Sequence, residues 1–319
     1  MKKKEVREIE VVPYNPDWPI WFENEADSIK RVLGDNCIAI HHVGSTSVPG
    51  LSAKPRIDII AVLADPKESM SALESIGYEY RGEWNIPFKF GFRKRGKLEV
   101  NLHVYEEGHP EIESNLLFRD YLRKNPKERD EYQSLKETLL KEPSSFEKNN
   151  PLFTGYTLGK CDFIRKVLNQ AEFKRIRMLK CSDETEWKAA KYFRQTYFFD
   201  KASISDPYTW TFNHVEHEHL VLYQGTEIIG YAHIQLWPDN RAVIRIIAID
   251  ENVRHEGLGG QFLNLLEKWL KLKGISSIHA KASPEALKFY KKYGYVEMPL
   301  NDPGEQGTHP EATHMGKIL

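Results

Sequence analysis

The chain has 319 residues, of which 40% are hydrophobic and 29% charged. That length exceeds one typical core and predicts two domains. Lys+Arg 45 against Asp+Glu 46 leaves a net charge of −1, which argues against a nucleic-acid-binding protein.

The opening, MKKKEVREIEVV, is basic but has no apolar stretch behind it, so it does not read as a secretory signal. Trp21–Leu33 reads as an amphipathic helix and Ile38–Val43 as a strand. Gly44–Gly50 is a glycine- and serine-rich loop, followed by a strand dense in Ile and Val, Arg56–Leu63. A helix over Pro66–Ile76 would end at Gly77, with strands near Phe88–Arg93 and Leu98–Val104. Pro110–Leu140 is helical and highly charged, and a last helix covers Gly159–Gln170. The junction is placed at Ala171, giving domains 1–171 and 172–319.

Beyond it, Ile176–Leu179 reads as a strand and Ser182 as the cap of a helix. His219–Tyr223 and Glu227–Leu236 form a hairpin about Gln224-Gly225, and Asp239-Asn240 turns into Ala242–Ile249. A helix (Leu258–Lys271), a strand (Ser277–Ala282), a helix (Pro284–Tyr293) and strands near Tyr295–Met298 and His314–Ile318 complete an α/β chain of α+β type. The longest apolar runs, Ile57–Leu63 and Ile246–Ile249, have strand length and cannot span a bilayer. Cys37, Cys161 and Cys181 form no CxxC pair, so a reducing compartment is the default. A soluble, cytoplasmic protein is expected, without nucleic acid or membrane as partner.

From Val243 to Gly260 a buried strand enters a tight loop with glycines two apart, and an amphipathic helix follows. Physically this is an anion site, since glycines let N–H groups turn inward and the helix N-terminus is partly positive. Arg254 would add a charge-assisted contact to phosphate. Arg254-His255-Glu256-Gly257-Leu258-Gly259 resembles the Q/R-x-x-G-x-G/A loop of the GNAT acetyltransferases. Pro284 to Tyr295, with Phe289-Tyr290 and Gly294-Tyr295, resembles that family's second signature.

The resemblance implies a GNAT mixed sheet flanked by helices, with acetyl-CoA as acyl donor and an amine, on a small molecule or a protein, as acceptor. It implies that the strand around Ile247, Ala248 and Ile249 pairs with the pantetheine arm. Arg254, His255, Glu256, Gly257, Leu258, Gly259 and Gly260 would hold the pyrophosphate, with Ser283 on the same cofactor side. Tyr290 would protonate the departing thiolate, as a phenol beside a thiolate can. The strand positions where many members carry a glutamate base are Val243 and Arg245. The base must therefore come from elsewhere, or the amine loses its proton through water. His233 and Glu218 are the catalytic candidates, with Glu216, His217 and His219 beside them. Three histidines between His214 and His219 have no fourth ligand at a recognised spacing, so no metal is assigned there.

In the first half, a Gly44-Ser45 turn follows one strand and Asp58 sits alone on the next. Gly44 and Ser45 can present donors to a phosphate, with Lys54 and Arg56 close by. Asp58 could hold a hydrated Mg ion. Gly44 to Ile59 resembles the GrpB family motif G-S-T-x-V-P-G-L-x-x-K-P-x-I-D-I, supported by Val12–Pro19, Asn101–Val104, Phe118–Arg123 and Tyr156 with Gly159-Lys160. That resemblance implies a nucleotidyltransferase-like mixed sheet with helices, and a nucleotide as possible partner. His103 joins Gly44, Ser45, Lys54, Arg56 and Asp58 as a phosphate-site candidate, while Asn101 stands where the family pattern has a histidine. Two-metal nucleotidyl transfer needs several bridging carboxylates, and Asp58 and Glu99 are a meagre set. The leading expectation is an acetyl-CoA-dependent N-acyltransferase with an appended domain. The alternatives are a CoA-binding domain without catalysis, or nucleotidyl transfer by the first half.

Overall fold

A computed structural model describes residues 9–148, 152–200, 203–302 and 311–319, so most of the basic opening discussed above lies outside the described residues. The chain divides into two compact units, Met1–Arg177 and Met178–Leu319.

The first unit holds α1 (Trp18–Leu33), β1 (Cys37–Val43), β2 (Arg56–Leu63), α2 (Met70–Ser75), β3 (Glu79–Gly82), β4 (Phe90–Lys94) and β5 (Glu99–Glu106). Helices α3 (Pro110–Lys124), α4 (Pro126–Lys141), α5 (Gly155–Leu158) and α6 (Cys161–Gln170) follow. The strands lie in the order β1-β2-β5-β4-β3, with β2 and β5 parallel. Because side chains alternate along a strand, Ile57, Ile59, Ala61 and Leu63 of β2 join Val100, Leu102 and Val104 of β5 in the core beneath Trp18, Ile29 and Leu33 of α1. The opposite face is mixed: Arg56 stands opposite Glu99, Asp58 opposite Asn101 and Ile60 opposite His103, and Ile60 and Val62 join Val43 and Tyr105 in a smaller cluster.

The charged helical stretch expected over Pro110–Leu140 is two helices, Pro110–Lys124 and Pro126–Lys141. Pro126 has no N–H to give, and it pushes Asn125 out of helical backbone, to φ −122° and ψ 87°. Strand β3 is a polar and largely exposed edge, Glu-Tyr-Arg-Gly, with no apolar alternation to betray it. A separate cluster packs Val48 and Leu51, from the loop between β1 and β2, against Leu122, Tyr132, Phe163 and Val167. That loop is therefore anchored from beneath.

The second sheet contains β6 (Ile176–Lys180), β7 (His217–Gln224), β8 (Glu227–Trp237), β9 (Arg241–Ile249), β10 (Ser277–Ala282), β11 (Val296–Glu297) and β12 (Thr313–Ile318). Its order is β11-β12-β10-β9-β8-β7-β6, with β9 and β10 parallel. Helices α7 (Glu184–Arg194), α8 (Leu258–Leu272) and α9 (Leu287–Lys292) flank it, and α8 buries Leu258, Phe262, Leu263, Leu266, Trp269 and Leu270. The cap of α7 is Asp183 rather than Ser182. Asp183 is extended and forms a capping box with Glu186, whose carboxylate also receives the Ser182 hydroxyl at 3.0 Å. Among the described residues no helix is long and apolar enough to cross a membrane.

Candidate active site

Strand β9 pairs with β8 to its end, where Gly230 faces Ile249, but its parallel pairing with β10 stops at Ile244 and Ala280. Strand β10 meanwhile continues along β12 to Ala282. From Arg245 to Ile249 one edge of β9 thus has no strand partner among the described residues. The register explains the parting: His233 faces Ile246 but Ile234 faces Ile244, so Arg245 is an extra, bulged residue.

Past the free edge, Arg254 donates Nε to the Ile249 carbonyl at 3.0 Å and lays its guanidinium over Tyr197, 4.8 Å from the ring centre. Gly257 then takes φ +82°, a left-handed conformation that disfavours a side chain, and α8 starts at the next residue. No acidic side chain lies in the first turn of α8. The neighbouring glycines serve packing instead. A Cβ on Gly260 would lie 1.7 Å from the Tyr293 hydroxyl, and one on Gly259 would lie 3.4 Å from the Phe289 ring. The loop and α9 are therefore fitted to each other. Tyr290, also on α9, is buried against Tyr295 and Phe289, and burial pushes its phenol above the usual range. The Ser283 carbonyl accepts the N–H groups of Ala286 and Leu287 and so forms the turn into α9.

On the face of β7 and β8 that carries His217, His219, Tyr231 and His233, a network grows from Arg194 of α7. Arg194 grips Asp206 with Nε and Nη2 at 2.5 and 2.9 Å, and its Nη1 donates to His233 Nδ1 at 3.0 Å. A guanidinium only donates, so this bond fixes the protons of its neighbours. His233 Nδ1 is an acceptor, and its Nε2 carries the proton given to His217 Nδ1 at 2.7 Å. His217 is then protonated on Nε2, a buried atom with no acceptor among the described residues. His219 gives Nε2–H to the Thr211 carbonyl at 3.1 Å and accepts the Tyr231 hydroxyl on Nδ1 at 2.6 Å. Burial and the neighbouring cation keep all three rings neutral. It lowers His217 to about 4, His219 to about 3 and His233 well below the usual range. Beside them Gln235 takes Arg245 Nε and Nη2, and Asp302 holds Arg245 bidentately and Lys281 at 3.2 Å. A carboxylate thus meets the first residues of β9 and β10 beyond the point where the strands part.

In the first unit cationic side chains hold carbonyls from the end of β1 through the loop that follows it. Arg119 donates to the His42 carbonyl, Arg123 twice to that of Ser47, and Lys136 to that of Ser52. Gly44, at φ +71°, lies so close to Asp58 that a Cβ would be 2.5 Å from Oδ2. Asp58 Oδ1 accepts Asn101 at 2.7 Å. Burial raises the Asp58 carboxyl, against the pull of Asn101, Arg56, Lys160 and Lys54. Lys54 and Lys160 both sit over the Tyr156 ring, at 4.4 and 4.8 Å from its centre. Burial, then mutual repulsion with Lys160 and Arg56, lowers Lys54 to about 8, and burial lowers Lys160 as well.

The family model described as GrpB protein matches residues 8–170, about half of the chain. The chain belongs to the GrpB family. A second model, the acetyltransferase (GNAT) family, matches residues 179–295, so the GrpB domain is fused to a GNAT acetyltransferase domain. UPF0157 protein YqkA of Bacillus subtilis is 38% identical over 174 residues, 52% of this chain. The chain spans about half of that relative's length, 48%. An uncharacterized N-acetyltransferase of the same organism, YjcF, is 28% identical over 35% of this chain and 80% of its own. The crystal structure of conserved protein GrpB from Enterococcus faecalis shares 35% identity over 51% of this chain and 96% of that chain, with a TM-score of 0.45.

Within the GNAT domain, Gly259 and Gly260 meet Phe289 and Tyr293, a Cβ at Gly257 would meet nothing within 4 Å, and His255 and Glu256 remain exposed. His233 has no lone pair to spare, because Nδ1 accepts from Arg194 and Nε2 carries the proton shared with His217. Glu218 alternates to the other face of β7 and pairs with Lys180 at 3.1 Å, away from the histidines. In the GrpB domain Gly44, Lys54, Arg56 and Asp58 come together, and Ser45 pairs with the Tyr132 hydroxyl. His103 lies one pleat beyond Asn101, beside Lys89 and Arg93 in a narrow cavity of about 10 Å³, and burial lowers it to about 3.

The Mg expectation needs correction. Asp58 is a single carboxylate facing Lys54, Lys160 and Arg56, and Glu99 is committed to Arg56 and Arg93 at 2.8 and 2.9 Å. A divalent cation there would meet more positive than negative charge, and no metal-holding group of His, Cys, Asp or Glu occurs among the described residues. Sequence reasoning left Lys160, Tyr156, Arg194, Asp206 and Asp302 out of the sites. Lys160 and Tyr156 stood in the quoted GrpB stretches, but nothing in the chain announces that Asp302 meets Arg245 across 57 positions.

Proposed function

We propose that the GNAT domain is an acetyl-CoA-dependent N-acetyltransferase acting on an as yet unidentified amine. The observation carrying this reading is the free edge of β9 from Arg245 to Ile249, running into the Gly257-led start of α8. The residues present suit acetyl-CoA. The first turn of α8 carries no acidic side chain to repel a pyrophosphate, a helix start presents N–H groups to an anion, and the edge of β9 offers peptide groups to the pantetheine amides. Peptide N–H groups on the same edge would face the developing oxyanion of the thioester. Tyr290, held as a neutral phenol by burial, would return a proton to the sulfur. The histidine network has a different part: its polarity makes it a donor, so it would orient the acceptor while the amine loses its proton to water.

The same polarity favours a second reading, that the domain binds CoA without transferring its acyl group. Purified full-length protein, acetyl-CoA and a panel of amines decide between them. Release of thiol together with a mass increase on an amine supports transfer, and Tyr290→Phe should slow it without weakening binding. If acetyl-CoA protects against thermal unfolding but no amine is modified, the binding reading replaces the first. If acetyl-CoA gives no protection and Gly257→Glu changes nothing, both fall.

A further inference from the structure

We propose that the GrpB domain carries a metal-independent site for a phosphate group, held by Lys54 and Lys160 beside the ring of Tyr156, with Asp58 receiving a hydroxyl of the same ligand. The class of ligand is a small organic phosphate. This site is independent of the acyl-transfer reading, since it uses no residue of the GNAT domain.

The first observation is an imbalance. Two half-buried ammonium groups share one aromatic ring, and neither has a hydrogen-bond or ion-pair partner among the described residues. The carboxylate that draws on both, Asp58, is bonded to Asn101 through Oδ1. Arg56 and Arg93 share Glu99 next to it. Each group, two lysines with Asp58 and two arginines with Glu99, is therefore one positive charge in excess. A loop kept only for structure has no use for such an excess, because a sunken ammonium without a partner opposes folding. A phosphate dianion would cancel both charges and supply acceptors to both lysines. A carboxylate would cancel one.

The second observation is preorganisation. Arg119, Arg123 and Lys136 hold three carbonyls on the chain from β1 through the loop. Val48 and Leu51 pin the loop on α3, α4 and α6. Gly44 can approach Asp58 only because it has no side chain. Lys54, at the end of this loop, and Lys160, before α6, are thus brought onto Tyr156 of α5 by a frame that does not depend on a ligand. A site built before its ligand arrives spends little of the binding energy on ordering.

The experiment uses the full-length chain without divalent metal. Inorganic phosphate, pyrophosphate and malonate are titrated by calorimetry and thermal unfolding. Phosphate or pyrophosphate should bind saturably, malonate at least tenfold more weakly. Lys160→Met and Lys54→Met should each weaken pyrophosphate at least tenfold while their own melting temperatures stay at or above the parent's. Pyrophosphate could also occupy the start of α8, so Gly257→Glu is the control, and binding should persist in it. Asp58→Asn should leave pyrophosphate binding intact or tighten it, since a negative charge is removed. Loss of binding in Gly257→Glu but not in the lysine variants would overturn the proposal. So would equal binding of malonate, dependence on Mg with loss in Asp58→Asn, or no binding of any of the three anions.

Discussion

In the GrpB domain two half-buried ammonium groups share one ring and one carboxylate. In the GNAT domain the buried Arg194 is paired with Asp206 and passes a further N–H to His233, and the chain of donors continues to His217. The first site gathers a loop, α5 and the start of α6 around Asp58 of β2, the second lies on β7 and β8, and both are partly dry. They differ in what has been left for a ligand to complete. The first lacks anionic acceptors, so its stability is lowered until something binds. The second is internally satisfied among the described residues except for one His217 N–H, so its arrangement does not wait on a ligand.

Removing a charge should therefore have opposite effects on the two. Arg194→Met leaves Asp206 buried and deprives His233 of its donor. We expect a loss of about 3–5 kcal/mol in urea unfolding, and a loss below 1 kcal/mol would show that the network is not a matched one. Tyr290→Phe tests the GNAT chemistry without disturbing that network. It should lower kcat by about ten- to a hundredfold with little change in acetyl-CoA binding, measured by thiol release and calorimetry. Lys160→Met, in the unmatched site, should raise stability by about 1 kcal/mol, and a loss of similar size would mean that the lysine has a structural partner after all.

The smallest effect is acid sensitivity. His219 has its folded pKa lowered to about 3, so below pH 6.5 the unfolded chain takes up a proton that the folded chain refuses. Stability is unaffected by this group above pH 6.5 and falls as the pH drops toward 3. Between pH 7 and 5.5 the loss from this group should be about 1 kcal/mol, and His219→Gln should reduce the slope of the profile by that share in parallel urea titrations.

Sequence alone determined the elements and loops whose physics is local. Arg56–Leu63 and Ser277–Ala282 have the bounds that their composition predicted, because runs of β-branched and alternating side chains act over a few residues. The Gly44–Asp58 and Arg254–Gly260 stretches pointed to ligand sites because their glycines, cations and acid lie close along the chain. Local signals also had limits: the break at Asn125-Pro126, the cap at Asp183 and the polar edge strand β3 each turned on a single residue or on pairing with a neighbour. Only the tertiary structure decided which charges are matched. It set His233 against Arg194, sent Glu218 to the opposite face, brought Asp302 to Arg245, and put Lys160 beside Lys54, 106 positions away along the chain. The reason is physical: a side chain's partner and its dielectric surroundings depend on what folds over it, and those neighbours come from elsewhere in the chain.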